Sequence, residues 1–174
     1  PITLSLSNGK QTIEKDFDLV VRGRNISKDC AEILSLSKVS RLDIIDSCWT
    51  TNSMDFYTES VEAINDGIVK GPHSVFATVT EKSNAPKRDY FGYRWEQPIK
   101  TNMVAFHYGC LEEYGGWYSN MHVEYMDAEG NWQPIEATVT PALPESDVVF
   151  IQPHFAEFVF EFEPVETTAI RVIG

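Results

Sequence analysis

Short apolar runs broken by turn residues recur along the whole chain, the pattern of strands rather than helices. Residues 2–6 alternate apolar and polar, and Ser7-Asn8-Gly9 follows as a turn. Residues 17–21 form a second run closed by Arg22-Gly23; residues 30–39 alternate loosely through Ile33, Leu34 and Leu36, and a run at 42–45 follows. Between Cys48 and Lys70 the pattern is irregular and rich in Ser, Thr, Asn and Asp, which predicts loop with a helical turn near 59–64. Further strands are predicted at 73–80, 90–95, 103–108, 122–126, 132–139, 155–162 and 169–173. In the segment 155–162, Phe158, Phe160 and Phe162 fall on one face with Val159 opposite, as in a sandwich core strand. Val123 and Tyr125, the acidic turn Asp127-Ala128-Glu129-Gly130-Asn131 and a restart at Trp132 read as a hairpin.

Nothing shows a helical stripe or a repeat of 20–50 residues. Ten Phe, seven Tyr and four Trp in 174 residues favour pleated, half-buried surfaces, and the length suits one domain with a full core. The expected fold is all-β, a jelly-roll β-sandwich of antiparallel strands.

Charge narrows the partners. Fourteen basic residues against 26 acidic ones leave a formal net charge of −12. Such a surface repels phosphate backbones and anionic lipids, so neither nucleic acid nor membrane is an expected partner. No apolar run reaches about 18 residues. No signal peptide is visible, and the start at Pro1 reads as that of a trimmed piece or a mature fragment. The three cysteines, Cys30, Cys48 and Cys110, fit no zinc spacing; Cys30 and Cys48 could bridge in an oxidising compartment, or all three are buried thiols. Asn25-Ile26-Ser27 matches a glycosylation acceptor.

The stretch from Gly115-Gly116-Trp117-Tyr118 through Val123-Glu124-Tyr125-Met126-Asp127 to Gly130-Asn131-Trp132 resembles the middle of discoidin-like domains, the coagulation-factor 5/8 C-terminal type, which include the family 32 carbohydrate-binding modules. Ala63-Ile64-Asn65-Asp66-Gly67 resembles the family's early A-x-x-D-G segment, and residues 168–174 resemble its penultimate strand. The resemblance covers residues 42–174. The family's last strand, carrying an A-E-[LI]-x-V pattern, does not follow; instead Ala31-Glu32-Ile33-Leu34-Ser35 near the start has that pattern. Residues 1–40 are therefore either a displaced terminal strand of this sandwich or an extension from a preceding domain.

The resemblance implies a galactose-binding-like fold, glycan recognition by loops at one end, and a structural calcium ion held by Asp66, Gly67 and the Ala63 segment, with Glu32 completing the shell if its strand fills the terminal slot. Sugar binding needs an aromatic face and convergent polar groups. The candidates are Tyr114, Trp117 and Tyr118 around the Gly115-Gly116 loop, Arg88 and Tyr90 in a second loop, and His154 in a third, with Trp49 and His73 bordering the long early loop. Trp95 and Trp132 are assigned to the core, and His107 and His122 are read as strand residues. The pair Glu112 and Glu113 is no evidence for glycoside hydrolysis, since neighbours on a strand face opposite ways. No nucleophile elbow, zinc-protease motif or phosphate loop is present. The expected function is a non-catalytic carbohydrate-binding module, monomeric, tethered within a secreted or cell-surface protein and binding galactose-type or amino-sugar glycans. The alternative is a protein-interaction or structural adhesin domain without a sugar ligand.

Overall fold

The computed structural model describes residues 2–7, 10–17, 24–36, 57–58, 60–72, 75–76, 89–109, 118, 120–143 and 155–174. Among these, an antiparallel hairpin pairs β1 (Ile2–Ser7) with β2 (Thr12–Phe17), the latter a strand that the apolar pattern did not predict. Then come β3 (Glu32–Ser35), the two-residue strands β4 (Tyr57–Thr58) and β5 (Val75–Phe76), and a long β6 (Tyr90–His107). A hairpin of β7 (His122–Met126) and β8 (Trp132–Ile135), the short β9 (Thr138–Thr140) and a long β10 (Glu157–Ile173) complete the strands. A 3₁₀ turn at Val61–Ile64 matches the expected helical turn. Of the predicted run at 17–21 only Phe17, the end of β2, is described, and the run at 42–45 lies outside the described residues.

The organising element is the antiparallel ribbon of β6 and β10. Each of these strands unites two segments that the sequence separates, 90–95 with 103–108 and 155–162 with 169–173. Pairing continues across the joins but slips twice. Met103 opposite Glu161 and Thr101 opposite Val165 leave residues 162–164 facing Asn102 alone; Ile99 opposite Thr167 and Arg94 opposite Ala169 leave 95–98 facing Thr168 alone. Each excess contains a proline, Pro98 or Pro164, which has no N–H to give the ladder. Bulges of this kind bend the strand that carries them.

The bend makes two layers from one ribbon. The first half pairs in the order β3-β6-β10-β7-β8, and the second carries β9 against residues 159–161 of β10. Trp95, Val123, Ile170 and Val172 from the first layer form one cluster with Tyr108, Phe158, Phe160 and Phe162 from the second. Phe158 and Phe160 are 0% and 1% exposed, while Glu157, Val159 and Glu161 alternate away from the core, as the period-two pattern requires. The antiparallel β-sandwich expected from strand spacing is thus the observed fold. The segment resembling a displaced last strand joins it: β3 pairs with residues 91–94 of β6, so residues 32–35 belong to this sheet.

At the slips, side chains replace the missing ladder bonds. The buried Thr167 hydroxyl lies 2.8 Å from both Met126 O and Ala169 O and accepts from Met126 N at 3.2 Å and Ala169 N at 3.1 Å. Thr101 Oγ1 bonds the backbone of Met103 in the same manner. Replacing Thr167 by Val keeps the shape but leaves buried backbone groups without their partner. Thr167→Val is expected to lower the unfolding free energy by about 1–3 kcal/mol in urea denaturation, whereas Ile13→Ala, at a 72% exposed position, should change it by less than about 0.5 kcal/mol.

Candidate functional site

Folding the ribbon back brings its two ends together, and Tyr118 sits where they meet. Tyr108, just beyond β6, donates its hydroxyl to Tyr118 O at 2.6 Å and accepts from Tyr118 N at 3.2 Å. The Tyr118 ring packs on Phe106 and against the Gly174 backbone, where a Cβ would come within 2.5 Å of it. Gly174 in turn exchanges two backbone hydrogen bonds with Asp89, at 2.9 and 3.0 Å. Phe155 N donates to Gly109 O and Tyr108 N to Ala156 O, which closes the cluster on its other side. Phe155 holds φ at +59°, a left-handed conformation that costs a non-glycine residue of order 1 kcal/mol and is retained here by these contacts. Burial, then the nearby Asp89 and Tyr108, push the Tyr118 hydroxyl far above the ordinary tyrosine range, so it remains protonated.

A second polar group lies on the outer face of the first layer. Arg171 is paired across the ladder with Glu124, one residue out of phase with the core residues Val172 and Val123. Its Nε donates to Glu124 Oε2 at 2.8 Å, and its Nη2 makes an ion-pair contact with the same oxygen at 2.6 Å. The guanidinium carbon stands 4.1 Å from the Trp132 ring centroid and 4.8 Å from that of Tyr90, within cation–π range of both. His122 Nε2 lies 3.3 Å from Glu124 Oε1. Burial raises the Glu124 pKa, but the hydrogen bond and charge of Arg171, with His122, outweigh it and hold the carboxyl below its ordinary range. Further along this face Arg94 approaches Glu32 at 3.4 Å, a charge contact without hydrogen-bond geometry, because the buried Nε makes no bond.

A third group joins the 24–31 turn to the 60–71 loop. Lys28 Nζ donates to Asp66 O at 2.6 Å, Asn65 Nδ2 to Ser27 O at 3.3 Å, and the Tyr93 hydroxyl to Ile64 O at 2.8 Å. Burial, chiefly, pushes Tyr93 up to about 12. Gly67 has φ of +88°, and a Cβ there would come within 2.8 Å of the Lys28 ammonium, so the glycine serves both the turn and the approach of the cation. Asp66 Oδ1 accepts from Ile68 N, which turns the loop. Cys30 beside it is a free thiol, pushed up mainly by burial and contacted by Asn65 Nδ2.

These positions bear on the residues expected from sequence. Tyr118 is half-buried at the meeting point of the ribbon ends, and Tyr90 lies at the start of β6 under Arg171. Tyr114, Trp117, Arg88 and His154 lie outside the described residues, as do Trp49 and His73. Trp95 is buried in the core and donates its indole N–H to Ile26 O, as assigned. Trp132, also assigned to the core, is instead half-buried on the outer face, because it pairs with Met126 while its neighbour Ile135 packs on the core opposite Val123. The oxygens expected around calcium are engaged elsewhere: Glu32 faces Arg94, Asp66 caps its own loop, and an ammonium already holds the Asp66 carbonyl. Ala63 contributes a backbone N–H to Ser60 O at 3.3 Å. As folded, the Lys28 ammonium holds a carbonyl that a calcium ion would take, so an ion binding there would have to displace it. Sequence reading missed Lys28, Glu124 and Arg171; the phase of the Val123–Ile135 hairpin would have placed Glu124 and Trp132 together outside. Compared with protein-family models and with curated proteins, the chain matches none.

Two outcomes follow. The thermal midpoint of EDTA-treated protein should stay unchanged on adding calcium; a rise would mean that the ion displaces Lys28. Glu124 has a depressed folded pKa, so its stabilisation is present above the unfolded carboxyl value of 4.5 and is lost as the pH falls through the folded value. The stability difference between wild type and Glu124→Gln should therefore be constant above about pH 6 and shrink on acidification, measured by urea denaturation at each pH.

Proposed function

We propose that this domain is a non-catalytic carbohydrate-binding module of a larger secreted or cell-surface protein, gripping a glycan through the loops at one end of the sandwich. The observation that carries the reading is the cluster of loop roots. Asp89, Tyr118 and Phe155 are the sequence neighbours of Arg88, Trp117 and His154, and all three belong to one set of backbone and hydroxyl contacts around Tyr108, Gly109 and Gly174. An aromatic ring, a guanidinium and an imidazole are what a pyranose needs: an apolar face to stack on and donors for its hydroxyls.

The resemblance to family 32 modules supports the same end of the fold and the same ligand class. The net charge of −12 favours neutral or cationic sugars, galactose-type or amino-sugar residues, over anionic ones. A hydroxyl-rich ligand at a solvated rim gives single-site affinities on the order of micromolar to millimolar; such a module works by keeping its parent protein near the glycan.

Calorimetric titration with galactose-type and amino sugars, backed by a glycan array, tests this reading. Binding that Trp117→Ala abolishes while the thermal midpoint is kept supports it. Silence across the array together with capture of a protein partner would favour an adhesin or interaction domain, and turnover of chromogenic glycosides by the isolated chain would overturn the non-catalytic assignment.

A further inference from the structure

We infer that the glycan-contacting surface extends from the loop end onto the outer face of the first layer, where Tyr90, Glu124, Trp132 and Arg171 form a platform for a neutral sugar unit. The inference rests on the carbohydrate reading above and names a surface of its own. Tyr90 belongs to both regions: it follows Asp89 at the loop roots, and its ring lies under Arg171.

The strand order sets the geometry. Tyr90 comes from β6 on one side of β10, and Trp132 from β8 beyond β7 on the other, so the Arg171 guanidinium lies between two rings. One hydrogen bond and an ion-pair contact to Glu124 hold it there, and Glu124 is itself steadied by His122. The side chains of Arg171 and Glu124 are 16% and 14% exposed, so little conformational freedom is left for a ligand to remove. None of the four residues belongs to the apolar cluster, and both rings are half-buried. Trp132 stands on β8, which among the described residues pairs with β7 alone.

The chemistry of the platform selects its occupant. Arg171 and Glu124 cancel in charge, so the surface offers donors and acceptors without net attraction for an ion. An anionic ligand would have to compete with Glu124 for the guanidinium and approach a chain of charge −12. A hydroxyl both donates and accepts, so adjacent hydroxyls of one pyranose can give to the carboxylate and take from the guanidinium at once. Flanking aromatic rings then receive its apolar C–H face. A neutral glycan longer than one unit would reach from the loop end to this face through Tyr90.

The test compares Trp132→Ala with Trp117→Ala and wild type by calorimetry, using the oligosaccharide that binds wild type best and its monosaccharide. Trp132→Ala should weaken oligosaccharide binding about tenfold and leave the monosaccharide nearly unaffected, with circular dichroism and thermal midpoint retained. Should Trp132→Ala not fold, hydrogen exchange of wild type gives the same answer: the oligosaccharide should protect β7 and β8, and the monosaccharide should not. Unchanged oligosaccharide affinity in Trp132→Ala, or no protection of β7 and β8, would overturn the platform and leave the loop-end site standing if Trp117→Ala still loses binding. A wild type that binds no glycan would overturn both.

Discussion

The fold depends on one constraint: the β6–β10 ribbon has to bend where its ladder cannot continue. Pro98 and Pro164 lack the N–H that regular pairing demands, and residues 95–98 and 162–164 face a single residue each on the opposite strand. The buried Thr167 hydroxyl and Thr101 Oγ1 take over the backbone groups freed at the two slips. Once bent, the ribbon can bury Phe158 and Phe160 of one half against Ile170, Val172 and Trp95 of the other. A straight ribbon would leave both apolar faces in water. The same bend carries residues 89–90 and 107–108 to a common point, which is why loops remote in sequence share their roots at Tyr118.

Much of this was legible along the chain, and the remainder was not for definable reasons. Period-two burial at Phe158, Phe160 and Phe162 is a local property of one strand and needs no knowledge of its partners. The turn at Asp127–Asn131 is equally local: the Asp127 carboxylate accepts from Glu129 N and Asn131 N, and Gly130 supplies φ of +84°. What stayed hidden is non-local. The stretches around Pro98 and Pro164 look like strand ends in sequence, whereas pairing persists on both sides of them and makes each a hinge within one strand. The pairing of Glu124 with Arg171, 47 residues away, depends on register, and register decides which face every side chain takes. Trp132 illustrates the cost of judging by residue type: tryptophan favours burial, but strand phase overrides the preference. The expectation of a sugar-binding loop came only through the likeness of the Gly115–Trp117 region to discoidin-like domains, and that region lies outside the described residues.

The outer face and the 60–71 loop show how an acidic chain uses its few cations. Arg171 is held between two rings and a carboxylate, Arg94 lies against Glu32, and Lys28 bonds the Asp66 carbonyl over a glycine that leaves it room. The last of these occupies the place at which resemblance alone would put calcium. An ammonium satisfies one carbonyl and a calcium ion several oxygens, so the loop as folded relies on Asn65, Tyr93 and its own Asp66 turn for the rest. The loop clamp is reached by the Tyr93 hydroxyl, and the ringed arginine lies on the outer face of the sheet.

The meeting of the two ribbon ends is the claim from which the loop-root cluster, and with it the binding reading, derives. Nuclear Overhauser contacts from the Tyr118 ring in labelled protein test it most directly. Contacts are expected from that ring both to the Gly174 α-protons at one end of the ribbon and to the Phe106 ring at the other; contacts to one end alone would contradict a meeting of the two ends.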